Sequence, residues 1–251
     1  MNLIWRVAVT RDEPQAGPLG SALRESGFNP VMCVVMDEHR PANATALVNA
    51  AASLEQFDWV IVSSARAVAA LAGARATRWP RAVRTAAVGA RTAEALVAAG
   101  ADPAPLVGAG EGADALWTAL SALEWTNRRV LVPTVPGGRR VLAEALRAAG
   151  AIVTEVEAYR MAPRPPERIR ADWHAARPDA AVIASPSVAS TLVEALGPGG
   201  LSALKAVVAI GPTTAATLAA AGVPHHVAPR ADFHEAARTL AALRDTALPG
   251  P

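Results

Sequence analysis

Six short segments of the chain combine hydroxyl side chains with glycine, proline or arginine. They are Thr10-Arg11, "SSAR" (Ser63–Arg66), "GART" (Gly89–Thr92), "PTVPGGRR" (Pro133–Arg140), "SPS" (Ser185–Ser187) and "GPTT" (Gly211–Thr214). Each follows a short apolar run and precedes an alanine- and leucine-rich stretch, so each reads as a strand-to-helix corner. The first turn of a helix has backbone N–H groups with no intrahelical acceptor, and the helix dipole adds positive character there. An anion fits such a corner. Hydroxyl and guanidinium donors strengthen the match. No lysine follows any of these glycine loops in the phosphate-loop pattern, so carboxylate is a better ligand than a nucleotide phosphate. For any single Ser or Thr, helix capping is the simpler explanation. Taken together, the corners describe a site for a ligand with several carboxylates. The candidate contacts are Thr10, Arg11, Ser63, Ser64, Arg66, Gly89, Thr92, Gly138, Arg139, Ser185, Ser187, Gly211, Thr213 and Thr214.

Tyr159 is the only tyrosine. It lies in "VEAYRMAP", at the start of a proline-rich extended stretch. An aromatic plug at a hinge is one reading. A phenol that donates a proton to a leaving group is the other.

Other chemistries find little support. "GAGEGA" (Gly108–Ala113) matches the dinucleotide pattern in form, but prolines flank it and no acidic residue stands at the required distance downstream. His225 and His226 are adjacent and lack partners at metal-ligand spacing, and His39, His174 and His234 are isolated. Ser64 and Ser185 have no local base. Basic residues are interspersed with acidic ones, and the net charge is only +2, which argues against a nucleic-acid partner. The expectation is a protein without metal or nucleotide cofactor.

Hydrophobic residues make up 52% of the 251-residue chain, but aromatics are only 4%. Much of the apolar content is alanine, which favours closely packed helices. The single cysteine, Cys33, forms no internal disulfide, in keeping with a reducing compartment. "MNLIWRVAVTR" reads as a first strand rather than a signal peptide. No apolar run reaches the roughly 20 residues that span a bilayer. A soluble cytoplasmic protein is expected.

Apolar runs at Val7–Thr10, Trp59–Val62, Ala86–Val88, Val130–Val132, Ala180–Ile183 and Val207–Ile210 alternate with helical patterns. Several of those patterns close on glycine, at Gly27, Gly100, Gly150 and Gly222. Such alternation predicts parallel sheets covered by helices. The plan occurs twice. "AVGARTAEALVAAG" from Ala87 matches "AIGPTTAATLAAAG" from Ala209 at an offset of 122, and "LRESGFNPV" meets "LRAAGAIV" at 123. "FDWVIVSSARAV" has its counterpart in "PDAAVIASPSV". Each copy also contains an extended, poorly periodic stretch, Pro30–Pro41 and Val153–Pro166. Two equivalent linkers suggest two lobes, with the chain rejoining the first lobe after the second linker.

The pattern resembles the uroporphyrinogen-III synthase family. The resemblance runs through "VAVTR", "WVIVSSARAV", "AVGARTAEAL", "GEGADAL", "GGRRVLAEALRAAGAIVTEVEAYR", "IASPSV", "AIGPTTAATLAAAG" and "EAARTLAAL", nearly the whole chain. Tyr159 falls where the family carries its mechanistically implicated tyrosine. Ser63-Ser64-Ala65-Arg66-Ala67 departs from the family's Thr-Ser-x-Asn-Gly corner, and Pro133-Thr134 replaces an Arg-Gly. The resemblance implies a cofactor-free lyase of tetrapyrrole, porphyrin and heme biosynthesis. Its substrate would be hydroxymethylbilane, a linear tetrapyrrole with eight carboxylates. It further implies a monomer with no membrane or nucleic-acid partner, in transient contact with the enzyme that supplies the substrate.

The expected fold is α/β, with two lobes that each hold a parallel sheet flanked by helices, joined by a two-strand linker. Residues 1–34 and 162–251 would form the first lobe and 39–157 the second, with 35–38 and 158–161 as linker strands. A two-lobed small-molecule binding protein or a sugar-nucleotide enzyme is the competing reading.

Overall fold

The computed structural model describes residues 4–14, 17–75, 79–102, 104–110, 112–138 and 140–247. The chain begins with β1 (Arg6–Val9), α1 (Pro18–Glu25), β2 (Asn29–Met32) and β3 (Met36–His39). It continues through α2 (Ala44–Ala52), β4 (Trp59–Val62), α3 (Ala65–Gly73), β5 (Arg84–Ala87), α4 (Ala90–Ala98) and β6 (Leu106–Val107). Next come α5 (Gly112–Leu120), β7 (Arg129–Thr134), α6 (Val141–Ala148), β8 (Ile152–Glu157) and β9 (Arg160–Pro163). The last elements are α7 (Pro166–Ala176), β10 (Ala180–Ile183), α8 (Pro186–Ser202), β11 (Ala206–Ala209), α9 (Pro212–Ala220), β12 (His226–Val227) and α10 (Phe233–Ala247).

Two compact units result. One is continuous, Glu38–Met161; the other joins the residues up to Asp37 with those from Ala162 onward. The chain passes between them along β3 and β9, which pair as a two-stranded sheet.

Each unit holds a five-stranded parallel sheet. The order is β6-β5-β4-β7-β8 in the continuous unit and β12-β11-β10-β1-β2 in the discontinuous one. Strands β4, β10 and β11 are buried at every position, as parallel strands covered on both faces must be. Alternate residues enter opposite cores. Val60 and Val62 pack with Leu47, Leu71 and Leu96, whereas Trp59 and Ile61 pack with Leu116, Leu120 and Leu146.

The duplication in the sequence becomes a duplication of sheets, but with exchanged parts. Strand starts Arg6 and Arg129 differ by 123 residues, and so do Asn29 and Ile152; Trp59 and Ala180 differ by 121, and Arg84 and Ala206 by 122. Yet β1 and β2 of the first copy complete the sheet of β10–β12, while β7 and β8 of the second copy complete the sheet of β4–β6.

Four helices end alike. Gly27, Gly100, Gly150 and Gly222 take positive φ values of 78°, 95°, 94° and 69°, a conformation glycine adopts without a Cβ penalty. At each end the residue after glycine donates its N–H to the carbonyl of a leucine, namely Leu23, Leu96, Leu146 and Leu218. This 6→1 bond, paired with the 5→2 bond from the glycine itself, is the Schellman cap. All four leucines are 0% exposed.

The stretches Pro30–Pro41 and Val153–Pro166, expected as unpatterned linkers, contain regular strands. Asn29–Met32 and Ile152–Glu157 each form an edge strand of a sheet. Their half-exposed burial patterns give them little of the apolar continuity that marked the central strands. Within α8, the backbone breaks from helix at Gly197, whose φ is 72°, next to Pro198.

Candidate functional site

In open parallel sheets, ligands gather beyond the carboxyl ends of the strands, where the strand order reverses. In the continuous unit that point lies between β4 and β7, because β5 and β6 extend to one side and β8 to the other. Ser63 leaves β4 there and is exposed. It lines two cavities at once. One, of about 370 Å³, is walled by Ser63, the Thr134–Gly138 turn, the start of α6, Arg140, Glu155 and Glu157. The other, of about 530 Å³, is walled by Ser63, Gly89–Thr92 and Gly108.

Ser64 caps α3, its Oγ accepting from the Ala67 amide at 3.1 Å. The same oxygen lies 3.4 Å from the Tyr159 hydroxyl. Tyr159 packs its ring against the core formed by α2, α3 and β4. It also lines a third cavity of about 490 Å³ with His39, Leu47 and Ala70. A separation of 3.4 Å is longer than a strong hydroxyl–hydroxyl bond, and either oxygen can be the donor.

Arg66, in the first turn of α3, turns toward the connecting strands. Its Nε lies 3.3 Å from Glu38 Oε2 and its Nη1 lies 3.5 Å from Met161 Sδ. At the β5 corner, Gly89 adopts extended backbone and a Cβ there would meet nothing within 4 Å. Thr92 is 6% exposed, whereas its neighbour Arg91 is exposed. Gly138 closes the β7 turn through its N–H to Val135 O at 2.9 Å, and a Cβ would sit 2.9 Å from that same oxygen. Arg139 lies outside the described residues.

The discontinuous unit presents the remaining corners. Thr10 is 0% exposed, with its Oγ1 3.5 Å from Val182 O. Beyond it, the chain supplies its own anion. Glu13 accepts from the amides of Gly20 (2.7 Å) and Leu19 (3.5 Å) near the start of α1, and Arg11 Nε lies 3.3 Å from its carboxylate. Ser185 caps α8 through the Val188 amide at 3.3 Å and lies 3.1 Å from Ser187 Oγ. Gly211 precedes α9 with no side-chain cap. Thr214 is 1% exposed, so the open hydroxyl of this corner belongs to Thr213.

Arg140 ends the "PTVPGGRR" corner without being among the candidate contacts, and Glu155 and Glu157 lie outside all six corners. Glu155 Oε2 accepts from both Arg140 and Arg147 at 2.6 Å, and Glu157 Oε1 accepts from Arg160 Nε at 2.7 Å. The Arg140 hydrogen bond holds the Glu155 carboxyl below its ordinary range, and the Arg160 hydrogen bond does the same for Glu157. A signal was available: two glutamates spaced by two in "TEVEA" share one face of a strand. Gly108 has a packing reason to be glycine, since a Cβ would sit 2.5 Å from the Ala115 backbone in α5. Among the described residues, no group of three or more His, Cys, Asp and Glu could hold a metal ion. No helix among them is long and apolar enough to cross a membrane.

Residues 18–237 match a family model described as uroporphyrinogen-III synthase HemD. A uroporphyrinogen-III synthase of Synechococcus elongatus is 32% identical over 165 residues, which are 61% of this chain and 59% of that protein. The match thus spans about three fifths of that relative's length. Among solved structures, uroporphyrinogen-III synthetase from Helicobacter pylori gives a TM-score of 0.66 at 16% identity, covering 96% of this chain and 100% of its own. A mutant uroporphyrinogen III synthase from the extremely thermophilic bacterium Thermus thermophilus gives 0.57 at 20% identity, covering 96% and 99%. At such identities the structural likeness establishes the fold.

Proposed function

The chain belongs to the uroporphyrinogen-III synthase family, and we propose that it cyclises hydroxymethylbilane to uroporphyrinogen III. The match over residues 18–237 is the observation that carries this reading. In the proposed reaction, the ring A hydroxyl leaves as water and the resulting azafulvene cation is attacked by the substituted carbon of ring D. A spiro intermediate forms, ring D inverts, and the macrocycle closes. The cation is reactive in itself, so the protein's task is to position the chain for the spiro route and not for direct closure.

The roles below follow the placement of the described residues, and that of Arg139 follows the sequence alone. Tyr159 donates its phenol proton toward the departing hydroxyl, with Ser64 as the resting partner of that proton. Ser63, the Gly89 corner and the turn at Gly138 hold substrate carboxylates in the continuous unit, and the sequence pattern adds Arg139 to them. In the discontinuous unit, Ser185 and Ser187 supply hydroxyls, and the Gly211 corner supplies the Thr213 hydroxyl and the amides of Thr213 and Thr214. A carboxylate carries less charge than a phosphate, which is why a corner without lysine suffices. Thr10, Arg11, Arg66 and Thr92 support these corners: Arg11 binds Glu13, Arg66 engages the connecting strands, and Thr10 and Thr92 are buried. The chain works as a monomer on a substrate handed over by the enzyme that makes it, and needs no cofactor.

The test is to supply hydroxymethylbilane and separate the type I and type III isomers, with protein dialysed against chelator. The expected product is the type III isomer at an unchanged rate. Only the type I isomer, or activity that returns on adding a metal, overturns the reading.

A further inference from the structure

The cavity between β4 and β7 poses a problem of sign. Two carboxylates, Glu155 and Glu157, line a space offered to a polyanion. Glu157 is neutralised by Arg160, which does not line the cavity, and by the Ala42 amide at 3.2 Å. Glu155 is shared between two guanidinium groups. Arg140 grips it with two bonds, Nη2 to Oε2 at 2.6 Å and Nε to Oε1 at 3.3 Å. Arg147 donates to Oε2 at 2.6 Å and to Val153 O at 3.3 Å.

We propose that Arg140 is a carboxylate-binding residue of this cavity, held by Glu155 and transferable to a substrate carboxylate. The proposal deepens the reading of the chain as a synthase acting on a polycarboxylate, and rests on it. The Glu155 side chain is only 16% exposed, and a carboxylate that deeply placed is costly to leave unpaired. With a single arginine partner it would hold that arginine fast. Arg147 removes the penalty, because Glu155 remains paired when Arg140 departs. The two arginines are also unequal: Arg147 has a second acceptor in Val153 O and lies outside the cavity wall, whereas Arg140 is 62% exposed and forms part of that wall.

The destination is equally defined. Arg140 occupies the N-cap of α6 with no side-chain cap bond, and the first-turn amides of Leu142 and Ala143 belong to residues that line the cavity. These amides have no intrahelical acceptor. A carboxylate placed there meets backbone donors on one side and the guanidinium fork on the other. Arg140 would exchange one two-bond carboxylate contact for another, so the transfer costs little.

The decisive readout is a variant that improves binding, since damage to structure does not produce that. Glu155→Gln removes the competing carboxylate and should lower KM for hydroxymethylbilane a few-fold. Arg140→Ala should raise KM about tenfold, with Arg140→Lys in between because lysine lacks the planar fork. In Glu155→Gln/Arg140→Ala the gain should vanish. Melting temperatures identify any variant that fails to fold, and if Glu155→Gln is one, Arg140→Ala decides alone. Fluorescence titration with uroporphyrin, a stable octacarboxylate, follows the same variants without turnover. If the wild-type chain forms no type III isomer while the uroporphyrin affinities follow the predicted order, the enzymatic reading falls and the carboxylate site stands. Unchanged KM and uroporphyrin affinity in Arg140→Ala, or weaker binding in a folded Glu155→Gln, overturns the proposal.

Discussion

Tyr159 and Ser64 are 95 residues apart in the chain, yet their hydroxyls lie 3.4 Å from each other. Tyr159→Phe keeps the ring that packs against the core and deletes only the proton donor. Removing a bond of that length should change stability by less than about 1 kcal/mol. General-acid assistance is worth about 10²–10⁴-fold, and a cation that forms readily places the expected loss near 10² or below. The rate of type III formation, measured with the melting temperature, checks this. A normal rate would leave Tyr159 a packing residue, and a lost rate with a collapsed melting temperature would make its role structural. The Gly211 corner separates two threonines in the same manner. Thr214→Ala, at a site 1% exposed, should cost roughly 1–2 kcal/mol of stability. Thr213→Ala should raise KM about tenfold while the melting temperature holds. If Thr214→Ala alone raised KM, the roles of the two would be reversed. The sequence made the corners legible because hydroxyl, glycine and proline between an apolar run and a helical stretch mark a helix start. It did not make legible which hydroxyl faces outward. Thr92 and Thr214 repeat in the two copies at the third helical position, and both are buried; repetition there reflects packing, which conveys the same signal as binding until burial is known.

At the scale of elements, the repeat "FDWVIV"/"PDAAVI" has a mechanical explanation. Asp58 accepts from the Arg129 amide at 2.8 Å, and its own carbonyl accepts from the Arg84 amide at 3.0 Å. Asp179 does the same with the Arg6 amide at 2.8 Å and the Lys205 amide at 2.8 Å. Each aspartate thus ties the amino ends of three adjacent strands. For Asp179, burial pushes the carboxyl up, but hydrogen bonds from the Lys205 ammonium and the Arg6 amide outweigh it, and the group titrates below its ordinary value. A depressed carboxyl stabilises the fold above its unfolded pKa and loses that contribution as the pH falls through the folded value. Asp179→Asn should therefore destabilise by about 1–2 kcal/mol at neutral pH. The gap to the wild type should close below about pH 4, as read by denaturant unfolding at several pH values. A gap that stayed constant with pH would show that charge is not involved. The central strands were legible because β4, β10 and β11 are apolar throughout, and the helix ends because a glycine closing a helical pattern marks a left-handed cap. The edge strands β2 and β8 were not, since half-exposed strands mix polar and apolar residues much as linkers do.

For the molecule as a whole, the sequence repeat and the structural unit do not coincide, and this mismatch gives a sharp expectation. Residues 38–161, a stretch of 124, contain all five strands of one sheet. Residues from α2, α3 and α4 cover one face, and those from α5 and α6 cover the other. Trp125 closes the second core at 2% exposure, its Nε1 donating to Leu120 O at 2.8 Å and its ring 5.4 Å from Trp59. A stretch of this size buries enough surface to fold alone. Residues 1–123 make up one full sequence copy, yet they separate β4 from β7 and β1 from β10, removing the neighbour of a central strand in both sheets. Val7, Val9, Val60 and Val62, each 0% exposed in the whole chain, would then sit at unpaired edges, where bare apolar strands aggregate. The excised 38–161 segment should show a single cooperative thermal transition by circular dichroism, with protected amides in β4, β5 and β7 by hydrogen exchange. The 1–123 segment should show neither. A cooperative 1–123 segment beside a molten 38–161 segment would mean that the folding unit is the sequence repeat, and that the exchange of strands between copies forms only in the intact chain.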